Sequence, residues 1–120
     1  MNKTYEEIVK TRPEMAGPLT DGGFPLSVSL VEFVKFQFRY IASGINLGDG
    51  ELTLLAYVYL YDDFMEKFMA DGHSRSKVSV GNYVTRLKKE GLMISTKELN
   101  PDLVLTKDPS KFIYYFVLND

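Results

Sequence analysis

The chain has 120 residues, of which 45% are hydrophobic and 25% are charged. These are ordinary values for a soluble globular protein and exclude wholesale disorder or a collagen-like chain. Cysteine is absent and His73 is the only histidine. A disulfide framework, a thiolate nucleophile, a Cys-based zinc finger and a His-rich metal site are therefore excluded. The composition favours a binding or scaffolding module over an enzyme, with no catalytic residues, no cofactor and no metal.

The formal net charge is −2, and the charges are distributed unevenly. Residues 1–73 hold six Lys or Arg against eleven Asp or Glu, whereas residues 74–111 hold eight against four. A local cationic segment on an acidic body suits an oriented contact with a polyanion. The alternative is that these are solvated helix residues that keep a small domain soluble.

The first 27 residues are predicted to form an N-terminal arm, followed by one domain over 28–120. The arm is broken repeatedly by residues that end regular elements, namely Pro13, Gly17, Pro18, Gly22, Gly23 and Pro25. Its start lacks the apolar stretch of a signal peptide. The apolar-rich regions 28–41 and 52–61 fall short of the roughly 20 residues of a membrane span. We therefore expect an intracellular protein without membrane contact, or one that stays with a virion assembled inside the cell.

The segment 26–41, LSVSLVEFVKFQFRYI, alternates between apolar and polar residues and is rich in β-branched and aromatic side chains. This pattern predicts a strand over 33–40. A helix that buries Leu30, Phe33, Val34, Phe38 and Ile41 is the competing interpretation.

Three helices are predicted next. The first begins with Asp49 as its cap and runs to about Tyr61, because apolar residues recur at helical spacing. A short helix follows and ends at Gly72, and a third occupies about 79–90 with Gly91 after its last turn. LVLT (103–106), a turn at 107–111 and FIYYFVL (112–118) then predict an antiparallel hairpin.

This order of elements, together with SKVSVGNYVTRLKKEGLM (76–93), resembles the winged helix-turn-helix family, in particular small bacteriophage or mobile-element proteins. The resemblance covers about 47–118. It implies an α+β fold with a three-helix core, an antiparallel β-hairpin wing, an N-terminal arm and an extra strand. It also implies a regulator or replication accessory protein whose helix 79–90 enters the major groove of double-stranded DNA.

A helical wheel places Val80, Val84 and Leu87 on one side of that helix, and a polar set on the other. Arginine suits guanine, asparagine suits adenine, and lysine suits phosphate. The wing would add two lysines at its tip, and two cations before the helix would hold phosphates. The predicted DNA-binding residues are Arg75, Lys77, Ser79, Asn82, Arg86, Lys89, Lys107 and Lys111. A merely solvated outer face is the alternative.

A second hypothesis comes from the acidic residues Asp62, Asp63, Glu66 and Asp71. If these carboxylates faced the sugar-phosphate backbone, they would repel it. In this alternative the protein is a virion structural or assembly protein that contacts other proteins, or further copies of itself, through a winged helix.

Overall fold

The computed structural model describes residues 26–107 and 116–118. They divide into two units: a central unit, Ala42–Pro101, and a flanking unit formed by the described residues before and after it. The flanking unit holds β1 (Leu26–Val28), α1 (Leu30–Ile41) and β2 (Phe116–Leu118). The central unit holds α2 (Asp49–Leu60), α3 (Phe64–Ala70) and α4 (Lys77–Lys89). The predicted arm lies outside the described residues except for its last two positions, which belong to β1.

The strand predicted over 33–40 is wrong, because this segment lies within α1. Its fully buried side chains are Phe33, Val34, Gln37 and Phe38, which follow helical spacing rather than alternation. The side chain of Ser29 caps the helix, since its hydroxyl oxygen accepts a hydrogen bond from the backbone N–H of Glu32 at 3.1 Å. The competing helical interpretation of this segment is therefore correct.

The predicted winged-helix fold is also wrong. β2 pairs with β1 in parallel, with Leu26 opposite Phe116 and Val28 opposite Leu118, and not with residues 103–106. Within the described residues, 103–106 form no strand and hold only a single bridge position, at Val104. Part of the predicted wing, 108–115, lies outside the described residues.

A buried glutamine explains why Thr106 does not pair with a neighbouring strand. Gln37 is fully buried, and its amide nitrogen donates to the carbonyl of Thr106 at 2.8 Å. The Gln37 amide oxygen accepts from the backbone N–H of Thr106 at 3.0 Å. Thr106 thus uses both of its backbone groups on a side chain of α1, as it would on a neighbouring strand.

The central unit is built around α2, in which every residue from Glu51 to Tyr57 is buried. The predicted helix is confirmed, although its N-cap is Gly48 rather than Asp49. The Glu51 carboxylate accepts from the Gly48 backbone N–H at 2.9 Å, which satisfies one of the free donors at the helix start.

Helices α3 and α4 both contact α2 and contact each other. Both end in a Schellman motif around a glycine with positive φ, Gly72 at 83° and Gly91 at 79°. The backbone N–H of His73 donates to the Phe68 carbonyl, and that of Leu92 donates to the Leu87 carbonyl. The helix ends predicted at both glycines are confirmed.

A tight loop follows α4. Met93 and Leu99 form an antiparallel bridge, and the Ser95 hydroxyl oxygen accepts from the backbone N–H groups of Lys97 and Glu98. Asn100 closes the loop, because its side chain donates to the Gly91 carbonyl at 2.8 Å. No helix among the described residues has the length and apolar character needed to cross a membrane.

Candidate functional site

Helix α4 presents one side to the core and one side to solvent. Ser76 is its N-cap, because the serine hydroxyl accepts from the Ser79 backbone N–H at 3.1 Å. Val80, Val84 and Leu87 are buried, as predicted. Four exposed residues lie about 140–200° away from Val80 at 100° per residue. This outer face consists of Val78, Asn82, Thr85 and Lys89.

Arg86 was predicted to belong to the outer face, but its guanidinium group is bound within the central unit. It donates to the Glu51 carboxylate at 2.8 Å and to the Asn46 carbonyl at 2.7 Å. The Glu51 side chain is only 9% exposed and the Arg86 side chain 40%. Arg86 therefore ties α4 to the start of α2 through charge-assisted hydrogen bonds that a base edge would have to displace.

The remaining cations of the segment are exposed. Residues 74–89 contain no Asp or Glu. Within the described part of the chain, four cations of this segment have no ion pair or side-chain hydrogen bond: Arg75, Lys77, Lys88 and Lys89. We call these four the α4 cations. Of the other predicted contacts, Ser79 and Asn82 are exposed on α4, Lys107 is exposed in the flanking unit, and Lys111 lies outside the described residues.

Two shallow depressions, each of about 300 Å³, adjoin each other, and only the first is lined by residues of α4. They share Met65 and Thr96. The first is further lined by Gly81, Val84, Thr85 and Lys88. The second, which we call the acidic depression, is further lined by Asp62, Asp63, Phe64, Glu66 and Lys97. Asp62, Asp63 and Glu66 thus lie together at the start of α3 and not on the outer face of α4.

A polar cluster joins α2 to the turn that leads into α4. The Tyr57 hydroxyl donates to the Asp71 carboxylate at 2.6 Å, and the Nε2 atom of His73 lies 3.1 Å from the same hydroxyl. Because the tyrosine proton is directed to Asp71, His73 must be the donor to the hydroxyl oxygen. Burial raises the pKa of Tyr57, and the hydrogen bond and charge of Asp71 raise it further. The hydroxyl therefore stays protonated and fixes the turn before Arg75.

Sequence reasoning missed three residues of this site. Val78 is 73% exposed in the first turn of α4, and Thr85 and Lys88 are also exposed. A helical wheel on which the outer face is chosen by polar residue type includes Arg86 and leaves out Val78. The signal in the sequence is spacing: Val78, Asn82, Thr85 and Lys89 stand at i, i+4, i+7 and i+11, which places them on one face of the helix.

Among residues 26–107 and 116–118, no three His, Asp or Glu side chains are grouped so that they could hold a metal ion. Comparisons of the chain with protein-family models, with curated proteins and with solved structures gave no match.

Proposed function

We propose that the protein binds double-stranded DNA through the exposed side of α4, mainly by contacts to phosphates. The observation that carries the proposal is the set of α4 cations: four exposed side chains that form no ion pair within the described part of the chain, on a segment with no acidic residue. Lysine and arginine that neutralise phosphates release condensed counterions, which is the main source of sequence-independent affinity for DNA.

The dimensions of α4 support the proposal. The helix has 13 residues and is therefore about 20 Å long at 1.5 Å per residue. A helix with its side chains is about 10–12 Å wide, which matches a major groove about 12 Å wide. Asn82, Thr85 and Val78 would then face base edges, where an amide suits adenine and an apolar group suits the thymine methyl.

The ion pair of Arg86 determines what kind of binding to expect. A bidentate contact from arginine to guanine is the commonest specific contact in the major groove. The guanidinium group of Arg86 already donates hydrogen bonds to Glu51 and to the Asn46 carbonyl. Phosphate contacts position a protein but carry no sequence information. We therefore propose sequence-tolerant binding rather than recognition of one operator.

The test compares variants in a fluorescence-anisotropy titration with a labelled duplex of about 20 base pairs. At ~50 mM salt, loss of one phosphate contact should lower the affinity about tenfold, because each contact releases about 0.9 counterion. The variant Lys77→Ala/Lys88→Ala/Lys89→Ala should bind about 10²–10³-fold more weakly than the wild type.

Lys97→Ala is the matched control, since it removes an exposed lysine that lines the acidic depression. It should bind duplex DNA as the wild type does. If the control lost as much affinity per lysine removed as the triple variant, about tenfold for its one lysine, net charge alone would govern binding and the proposal would be rejected. Far-UV circular dichroism should give the same spectrum for all variants.

A further inference from the structure

We propose that the protein self-associates head to tail, with the first turn of α4 of one copy docked in the acidic depression of the next. The donor surface consists of Val78 and of the two cations that precede it in sequence, Arg75 and Lys77. We call these three residues the knob. The acceptor surface is the acidic depression. The proposal does not depend on DNA binding, because it rests on a match between two surfaces of the central unit.

The apolar parts of the two surfaces match. Val78 is a large hydrophobic side chain that is 73% exposed, although it lies on a helix whose other valines are buried. The acidic depression has a volume of about 300 Å³ and includes the apolar side chains of Phe64 and Met65 in its lining. A valine side chain fits such a volume and would leave water on docking, which is favourable.

The charges of the two surfaces also match. Asp62, Asp63 and Glu66 line the depression, and none of them forms an ion pair with a residue in the described ranges. Lys97 lines it as well, so the lining carries three carboxylates against one ammonium group. The knob carries Arg75 and Lys77 and no acidic residue. Opposite charges around an apolar contact fix the orientation of the docked copy and favour a second copy of this chain over other partners.

The two surfaces do not meet within one molecule, because Val78 is 73% exposed and lines neither depression. An apolar knob that fits a pocket elsewhere on the same surface produces a heterologous contact, which generates rings or open chains rather than two-fold dimers.

The test uses two variants that each lose one surface of the full-length protein. The knob variant is Lys77→Glu/Val78→Ser, and the depression variant is Asp63→Lys/Glu66→Lys. Sedimentation velocity of nuclease-treated protein at low salt, over a concentration series, should show wild-type masses that rise beyond the dimer. Each variant alone should remain at the monomer mass of 13.7 kDa.

The decisive sample is the equimolar mixture of the two variants. The depression variant keeps an intact knob, and the knob variant keeps an intact depression, so one productive contact remains. The mixture should therefore form a species of about twice the monomer mass and nothing larger. A mixture that stays monomeric overturns the proposal, as does a monomeric wild type or a wild type that stops at a dimer.

Milder substitutions guard against variants that fail to fold. Val78→Ser alone and Asp63→Asn/Glu66→Gln keep the size of the side chains close to the original. Their melting temperatures are checked first by circular dichroism. Each of these variants alone should again be a monomer, and their equimolar mixture should again form a dimer. If the folded variants do not show this pattern, the proposal is also overturned.

Discussion

Arg86 shows how a single ion pair changes the interpretation of a helix face. On a wheel it lies beside Asn82 and Lys89, and its residue type suggests contact with guanine. Its two hydrogen bonds instead go to Glu51 and to the Asn46 carbonyl. Glu51 is buried and also caps α2, so the pair joins two helices and the loop between residues 42 and 48. The residue is therefore structural.

The residue-scale prediction follows from this geometry. Arg86→Ala should lower the free energy of unfolding by about 1–3 kcal/mol, because it leaves a buried carboxylate without its charged donor. Lys89→Ala, an exposed residue of the same helix without a partner in the described chain, should change it by less than about 0.5 kcal/mol. Urea unfolding followed by circular dichroism measures both. Equal effects would show that the Arg86 pair contributes nothing to stability.

At the scale of elements, one glycine within α4 and one just after it differ in backbone conformation. Gly81 lies inside the helix, and Gly91 has φ of 79° just after it. A Cβ atom at either position would meet no atom within 4 Å apart from those of the adjacent residues and of the helix's own backbone. Differences between alanine substitutions at the two sites therefore report backbone conformation rather than packing.

Gly81→Ala should raise the free energy of unfolding by about 0.5–1 kcal/mol, because alanine loses less entropy than glycine in a helix. Gly91→Ala should lower it by about 1 kcal/mol or more, because a Cβ atom disfavours positive φ. Thermal unfolding of the two variants beside the wild type is the measurement. The same sign at both positions would contradict the assigned helix end.

The helices of the central unit could be predicted from the sequence because local signals determine them. Ser76, Gly72 and Gly91 mark helix ends by their own chemistry, and the apolar spacing of Val80, Val84 and Leu87 indicates the buried side. These signals act within a few residues. They do not depend on the rest of the chain.

The flanking unit could not be predicted in the same way. The segment 33–40 satisfies both a two-residue and a helical period, and the Ser29 cap and the burial of Gln37 decide between them. The pairing of 116–118 with 26–28 joins segments about ninety residues apart. Such contacts have no local signal, so a hairpin with the nearer segment 103–106 was the simpler expectation. The ion pair between Arg86 and Glu51, which are 35 positions apart, could not be predicted for the same reason.

At the scale of the whole molecule, the net charge of −2 does not prevent contact with a polyanion. Charges further apart than the Debye length, about 8 Å at physiological salt, are largely screened. In the proposed function the α4 cations would therefore act locally, and carboxylates elsewhere on the chain would limit binding to one orientation. Arg75 and Lys77 belong to both proposed contacts, so bound DNA and a docked second copy should exclude each other.

The most direct test of the central claim is the affinity of the wild-type protein for duplex DNA between about 50 and 200 mM salt. If the four α4 cations contact phosphates, the logarithm of the binding constant should fall with the logarithm of the salt concentration with a slope of about −2 to −4. Two duplexes of unrelated sequence should give the same slope. No measurable binding at ~50 mM salt, or an affinity that does not change with salt, would contradict the account.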